Sequence, residues 1–207
     1  MPTRTRLLHS AVMAMLGALS LPVAATATQA ELARGEEIVQ AKCFICHGAE
    51  GESSSPAFPR LAGQNASYVQ RQLSDYKSGK RKSSTMQPMV EDLTEPDFKA
   101  LGAFFASRTT HGHQVQDPEL AAMGLYIYQR GNPYSGVAAC TTCHGSNGQG
   151  TASLPRLAGQ HAQYTLNQLK QFNKRERSND NAVMHGIASK LTELEAKAVS
   201  AYLSGLR

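Results

Sequence analysis

The phrase Cys-x-x-Cys-His-Gly occurs twice in this chain, at Cys43, Cys46, His47, Gly48 and again at Cys140, Cys143, His144, Gly145, and the two copies use all four cysteines. The repetition extends well beyond the motif. "FPRLAGQNASYVQRQL" (58–73) returns as "LPRLAGQHAQYTLNQL" (154–169), and "MQPMVEDLTEPDFKALGAFF" (86–105) as "MHGIASKLTELEAKAVSAYL" (184–203). The offsets are 97, 96 and 98, so the copies are collinear and differ only in loop length. Such a duplication predicts two similar domains in tandem. We place them at residues 31–110 and 119–207, joined by a linker at 111–118 inside the polar segment 107–119, which carries Pro118.

Each half reads as helical. Asn65 is placed to cap a helix whose apolar stripe is Tyr68, Val69, Leu73 and Tyr76, at three-to-four spacing. Thr94 to Asp97 and Thr192 to Glu195 have capping-box spacing, the first with Pro96 in the opening turn, where a missing N–H costs nothing. Phe98, Leu101, Phe104 and Phe105 then form one apolar face, and Leu194, Ala198, Val199 and Tyr202 its counterpart. Gly35 and Gly124 stand one turn before Val39 and Tyr128, where a missing side chain lets a second helix approach. No alternating run is long enough for a strand, so the fold class is all-α. Domains this small need something besides apolar side chains to complete a core.

The first thirty residues have the form of an export leader: Arg4 and Arg6, an apolar stretch from about Ala11 to Ala25, then small residues. Cleavage after Ala27 or Ala30 fits, giving a leader over 1–27 and a periplasmic protein. A retained anchor is the alternative, but Gly17, Ser20 and Pro22 interrupt a run already shorter than the roughly 20 residues of a bilayer span. Loose attachment to a membrane surface stays open. Losing two arginines lowers the formal charge from +5 to +3, too mild a balance to point to nucleic acid. The run "KSGKRK" (77–82) reads as a solvated loop or as a docking patch.

In an exported chain, Cys-x-x-Cys-His is the attachment motif for haem c. Two thiols one helical turn apart can add to the two vinyl groups of a porphyrin edge, which puts the next residue, His47 or His144, beneath the iron. A zinc site made from the four cysteines would not need a histidine after each pair. A thioredoxin-like centre needs a βαβ setting that is absent here, and disulfides would leave both histidines unexplained. The sequence therefore predicts two covalent haem c groups, on Cys43 and Cys46 and on Cys140 and Cys143.

A sixth iron ligand decides between chemistry at the iron and electron transfer. The candidates beyond the leader are Met86, Met89, Met123 and Met184. Met123 lies in the helix expected to pack behind the second motif and reads as core. Aligning Leu93-Thr94 with Leu191-Thr192 superposes Met86 on Met184 and Met89 on Ile187, which cannot ligate iron. Met86 and Met184 are the expected ligands, with Met89 a packing position. Pro59 and Pro155 follow the motifs at equivalent places, and their carbonyls are suited to hold the second ring nitrogen of each histidine. Arg60 and Arg156 are candidates for the haem propionates, with plain solvent exposure an equal alternative. Gln64, Gln160, Tyr68 and Tyr164 fit either propionate contact or helix start and core packing.

These motifs, "CFICHG…FPRLAGQ…MQPM" and then "CTTCHG…LPRLAGQH…VMHGIASKL", resemble the cytochrome c4 family of tandem class I cytochrome c domains over nearly the whole chain beyond the leader. The resemblance implies a pseudo-twofold pair of domains, each wrapped around its haem, and a dihaem electron carrier rather than an enzyme. It implies a quinol-oxidising donor and a terminal cytochrome c oxidase as partners. It also implies the first methionine of Met-x-x-Met as ligand. The second copy carries Met184 alone, without a local substitute. The rival readings are the dihaem subunit of a redox enzyme, such as a flavin-dependent sulfide dehydrogenase, and a dihaem peroxidase, which would need an iron that can open.

Overall fold

The structure, a computed structural model, describes residues 27–207. The leader expected over 1–27 lies almost wholly outside the described residues. Ten α-helices follow in order among those residues: α1 (Gln29–Ile38), α2 (Phe44–His47), α3 (Ala66–Lys77), α4 (Met86–Val90), α5 (Glu95–Ala106), α6 (Pro118–Arg130), α7 (Thr141–His144), α8 (Ala162–Asn173), α9 (Val183–Ala188) and α10 (Glu193–Gly205). A π-helical turn, Val39–Cys43, joins α1 to α2. The only extended pairing among the described residues is an isolated bridge between Asn132 and Val137. The first five helices and the last five form the two halves.

In each half the first helix crosses the last, α1 on α5 and α6 on α10. Glycine makes the crossing close. A Cβ on Gly35 would lie 2.5 Å from Ala100 O and 2.6 Å from Phe104 Cβ, and one on Gly124 would overlap Ala198 O. Both capping boxes form as the spacing predicts, at Thr94 with Asp97 and at Thr192 with Glu195. A third, Thr28 with Glu31, starts α1.

The first core gathers nine buried apolar residues, among them Phe98, Leu101, Phe104 and Phe105, with Met86 and Cys43 packed on its edge. The second gathers four, Ile127, Tyr128, Val199 and Leu203, with Cys140 at its edge. At about 1.5–3 kcal/mol for each large side chain buried, this cluster contributes less than the first, and Val137, Leu166 and Phe172 are buried elsewhere in the second half. Tyr128 partly compensates by donating its hydroxyl to Gly145 O at 2.6 Å, which fastens α6 to the end of the second motif.

Three expectations about packing need correction. Met123, expected in the core, is 40% exposed, and Leu194, expected on the inner face of α10, is 54% exposed. α6 and α10 cover one another on a single face only, and Leu203 takes the inner place expected for Leu194. Met89, expected as a packing position, is 43% exposed. Its neighbour Val90 turns into the core instead.

Segment 107–117 connects the halves and follows the second one. His113 N donates to Ser204 O at 2.8 Å, and Val115 lies against Gly205.

Candidate functional site

The two Cys-x-x-Cys-His segments fold alike. The second cysteine and the histidine of each occupy a one-turn helix, α2 or α7. Each helix stops at a glycine with positive φ, Gly48 at 80° and Gly145 at 78°. The four cysteines form no disulfide with one another. Burial pushes the thiols of Cys43 and Cys140 up to about 11. Among the described residues no group of three or more His, Cys, Asp or Glu could hold a metal ion.

Both histidines are buried and oriented by a proline carbonyl. His47 Nδ1 lies 2.9 Å from Pro59 O, and His144 Nδ1 lies 3.3 Å from Pro155 O. A carbonyl only accepts, so each Nδ1 carries the proton and each Nε2 keeps its lone pair. Burial lowers both imidazoles below the ordinary histidine value, against the opposing effect of the proline carbonyls, which favours the neutral, ligating form.

The methionine segments are also fastened at matching places. Met86 N donates to Ser83 Oγ at 3.1 Å at the start of α4, and Met184 N donates to Asp180 Oδ2 at 2.6 Å at the start of α9. Asn181 and Ala182, just before α9, hold positive φ values of 52° and 65°. Asp180 also accepts from His185 N at 3.2 Å and so pins that strained turn. Both methionine side chains are half-buried. Ser83 and Asp180 went unnoticed in the sequence because nothing in their local pattern marks them as anchors.

The remaining candidates meet at the boundary between the halves, in reciprocal pairs that define an approximate twofold. Gln64 Nε2 donates to Arg156 O at 2.9 Å while its Oε1 accepts from Arg156 N at 2.7 Å. Gln160 does the same to Arg60, with both distances 2.9 Å. At the equivalent positions 65 and 161 the side chains also cross. Asn65 occupies the N-cap of α3 as expected, but its side chain makes no capping bond and donates Nδ2 to Leu154 O at 2.7 Å, and His161 Nε2 donates to Ser53 O at 2.9 Å.

Arg81 is the largest departure from expectation. It belongs to the "KSGKRK" run, yet it is only 7% exposed. Its guanidinium reaches Gln72 Oε1, Tyr164 Oη and Gln168 Oε1 at 2.8, 3.1 and 3.0 Å. Arg177, 8% exposed, answers from the second half to Gln168, Tyr68 and Gln72 at 2.7, 2.9 and 2.9 Å. Tyr68 and Tyr164 thus serve the boundary. Burial alone would raise the Tyr68 phenol, but Arg177 and Arg81 outweigh that and bring it below its usual value. Lys80 and Lys82 border, with Arg175, Glu176 and Ser178, a cavity of about 360 Å³.

This arrangement fits haem c in both halves. Nε of Arg60 and Nε of Arg156 are buried without a partner, at the same place in each copy, and burial lowers both guanidinium groups. Arg81 and Arg177 are bonded only to neutral acceptors. Buried guanidinium groups with unspent donors suit anions, and the carboxylates of a haem are of that kind.

The family model described as Cytochrome c matches residues 32–131 and again 128–207. Cytochrome c4 of Thiocapsa roseopersicina is 43% identical over 177 residues, covering 83% of this chain and 91% of that one. The chain belongs to the cytochrome c4 family. The crystal structure of reduced recombinant cytochrome c4 from Pseudomonas stutzeri superposes with a TM-score of 0.80 at 37% identity, over 85% of this chain and 98% of that one. A thiosulfate dehydrogenase electron acceptor of Stutzerimonas stutzeri is 36% identical over 79% of this chain and 78% of its own length. Two cytochrome c domains with two attachment motifs make this a dihaem electron-transfer cytochrome and not an enzyme.

Proposed function

We propose that the protein is a periplasmic carrier that passes single electrons from a quinol-oxidising respiratory donor to a terminal cytochrome c oxidase or a comparable acceptor. In this reading His47 and Met86 are the axial ligands of the first haem iron, and His144 and Met184 those of the second. The observation that carries it is the matched fastening of all four side chains: each histidine is fixed through Nδ1 by a proline carbonyl, and each methionine stands at an anchored helix start. Haem c, bound there, supplies a one-electron iron couple.

The residues of the chain hold and insulate that couple. Cys43, Cys46, Cys140 and Cys143 tether the two porphyrins. Pro59 and Pro155 set the tautomer and ring plane of the histidines. Arg60, Arg156, Arg81 and Arg177 place positive charge where the propionates would otherwise be buried unpaired. With the thioethers of Met86 and Met184 as second iron ligands, the iron would be closed to substrates and would exchange electrons outer-sphere. The halves are assigned to residues 31–110 and 119–207, with linker 111–118, and the leader directs export and is then cleaved.

A second reading makes the protein the dedicated dihaem acceptor of a redox enzyme. The likeness to a thiosulfate dehydrogenase electron acceptor supports a sulfur-oxidising donor of that kind over a flavin-dependent sulfide dehydrogenase. A spectroscopic redox titration with carbon monoxide and peroxide as probes tests the carrier reading. Two reversible one-electron waves without adducts are expected. An adduct at either iron overturns the closed-site assignment, and stoichiometric copurification with an enzyme favours the second reading.

A further inference from the structure

We propose that Gln160 and Gln64 each tune the axial histidine of the opposite half, acting through one shared peptide group. The inference rests on His47 and His144 being iron ligands. The Pro59 carbonyl that holds His47 and the Arg60 N–H that donates to Gln160 Oε1 belong to the same peptide plane. The other half repeats this, with His144, the Pro155–Arg156 peptide and Gln64. A hydrogen bond accepted from a peptide N–H polarises that peptide and makes its carbonyl a stronger acceptor, by roughly 10–30% per bond. The strengthened carbonyl draws the Nδ1 proton, and the imidazole becomes a more basic ligand. A more basic imidazole favours ferric iron.

Three features suit the glutamines to this role. Each amide holds its target at two points, since its Nε2 also donates to the carbonyl of the same arginine. Each Oε1 also accepts from the N–H of the following residue, Asn65 or His161, at 3.0 Å, which fixes the amide orientation. Both side chains are buried, so water cannot take the place of Oε1 if it is removed. The geometry links the two axial histidines through a closed circuit. From His47 it runs through Pro59 and Arg60 to Gln160, back along the chain to Pro155 and His144, and through Arg156 to Gln64 and the first half.

The crossing gives a test that simple loosening would not imitate. The holoprotein and its Gln160→Leu and Gln64→Leu variants are titrated, with each haem assigned through its axial methionine methyl resonance. Gln160→Leu is expected to raise the potential of the first haem, about threefold to tenfold in its one-electron equilibrium, tenfold being about 59 mV. The His47 Nδ1 proton should move upfield with it. Gln64→Leu should do the same to the second haem and His144. Gln160→Glu and Gln64→Glu keep an oxygen on the arginine N–H and should lower the opposite haem instead. A shift confined to the haem of the substituted half, equal shifts in both haems, or no shift overturns the proposal. If the leucine variants do not assemble, the glutamate pair decides by the same criterion. Failure of the ligand assignment would show separately, as an iron that binds carbon monoxide in the unsubstituted protein.

Discussion

Arg177 Nη2 donates to Tyr68 Oη at 2.9 Å across the boundary between the halves, and Arg177 makes further bonds to Gln72, Gln168 and Asn179. Arg81 returns two bonds from the other side, to Tyr164 and Gln168. Removing a buried donor leaves its acceptors without partners at roughly 1–3 kcal/mol each. Arg177→Met is expected to weaken the association of the halves by about 2–4 kcal/mol, and more than Arg81→Met. Calorimetry should resolve one unfolding transition into two in Arg177→Met; a single unshifted transition contradicts this.

Met86 and Met89 differ in placement as well as in alignment. Met86→Leu should abolish the first haem's share of the far-red sulfur-to-iron band and open that iron to carbon monoxide. Met89→Leu, at a side chain 43% exposed, should leave both unchanged and alter stability by no more than about 0.5 kcal/mol. The reverse pattern would move the ligand three residues along the chain.

The unequal cores predict unequal dependence on haem. The second half's main apolar cluster has four buried residues against nine in the first, with Val137, Leu166 and Phe172 buried apart from it, so its core is more divided when its attachment fails. Cys140→Ser with Cys143→Ser should therefore cost more helical circular dichroism, and more resistance to protease, than Cys43→Ser with Cys46→Ser. Equal losses would show that the first core relies on haem just as heavily.

Acid should loosen the boundary. Burial lowers the imidazole of His161, with Arg60 adding to it and the Ser53 carbonyl opposing; burial, Arg60 and His161 lower that of His113. Both are neutral in the fold while the unfolded chain takes up protons near pH 6.5. The stability they contribute is complete above that value and falls as pH drops below it. His161→Asn, which installs the residue found at position 65, should flatten the acid limb of the stability profile. An unchanged limb would assign the effect to other groups.

The N-terminal boundary follows from the cap on α1. Thr28 and Glu31 complete a capping box, and Glu31 also pairs with Lys99 at 2.7 Å. Cleavage after Ala27 keeps both interactions, whereas cleavage after Ala30 removes Thr28 at a cost of about 1 kcal/mol. Sequencing of the mature protein should begin at Thr28; a start at Glu31 would show that the peptidase ignores the cap.

Features set by neighbours in sequence were legible before the structure. The duplication, the Thr94 and Thr192 caps and the helix crossings at Gly35 and Gly124 all depend on residues a turn or a fixed offset apart. The boundary was not legible, because its bonds join residues about 80 to 110 positions apart. Arg81 looked solvated beside three lysines, since composition does not reveal that a tyrosine and a glutamine from the other copy enclose it. Gln64 and Gln160 were marked by recurring in register, but the backbone they hold could be found only in space. Met123, Met89 and Leu194 misled for the opposite reason: apolar periodicity reports which residues could be covered, not which faces find a partner.

Gln64 and Gln160 each hold the backbone of the other copy, and Arg81 and Arg177 each send two bonds across to it beside those they make within their own half. A substitution in either copy is therefore felt first by its twin. The two copies can diverge freely on their outer faces, as Thr141 and Thr142 have from Phe44 and Ile45. Along the boundary they must change in step. A half taken from a different dihaem chain would bring its own partners and find the wrong ones waiting, so this duplication, once its side chains had exchanged, ceased to be two separable units of inheritance.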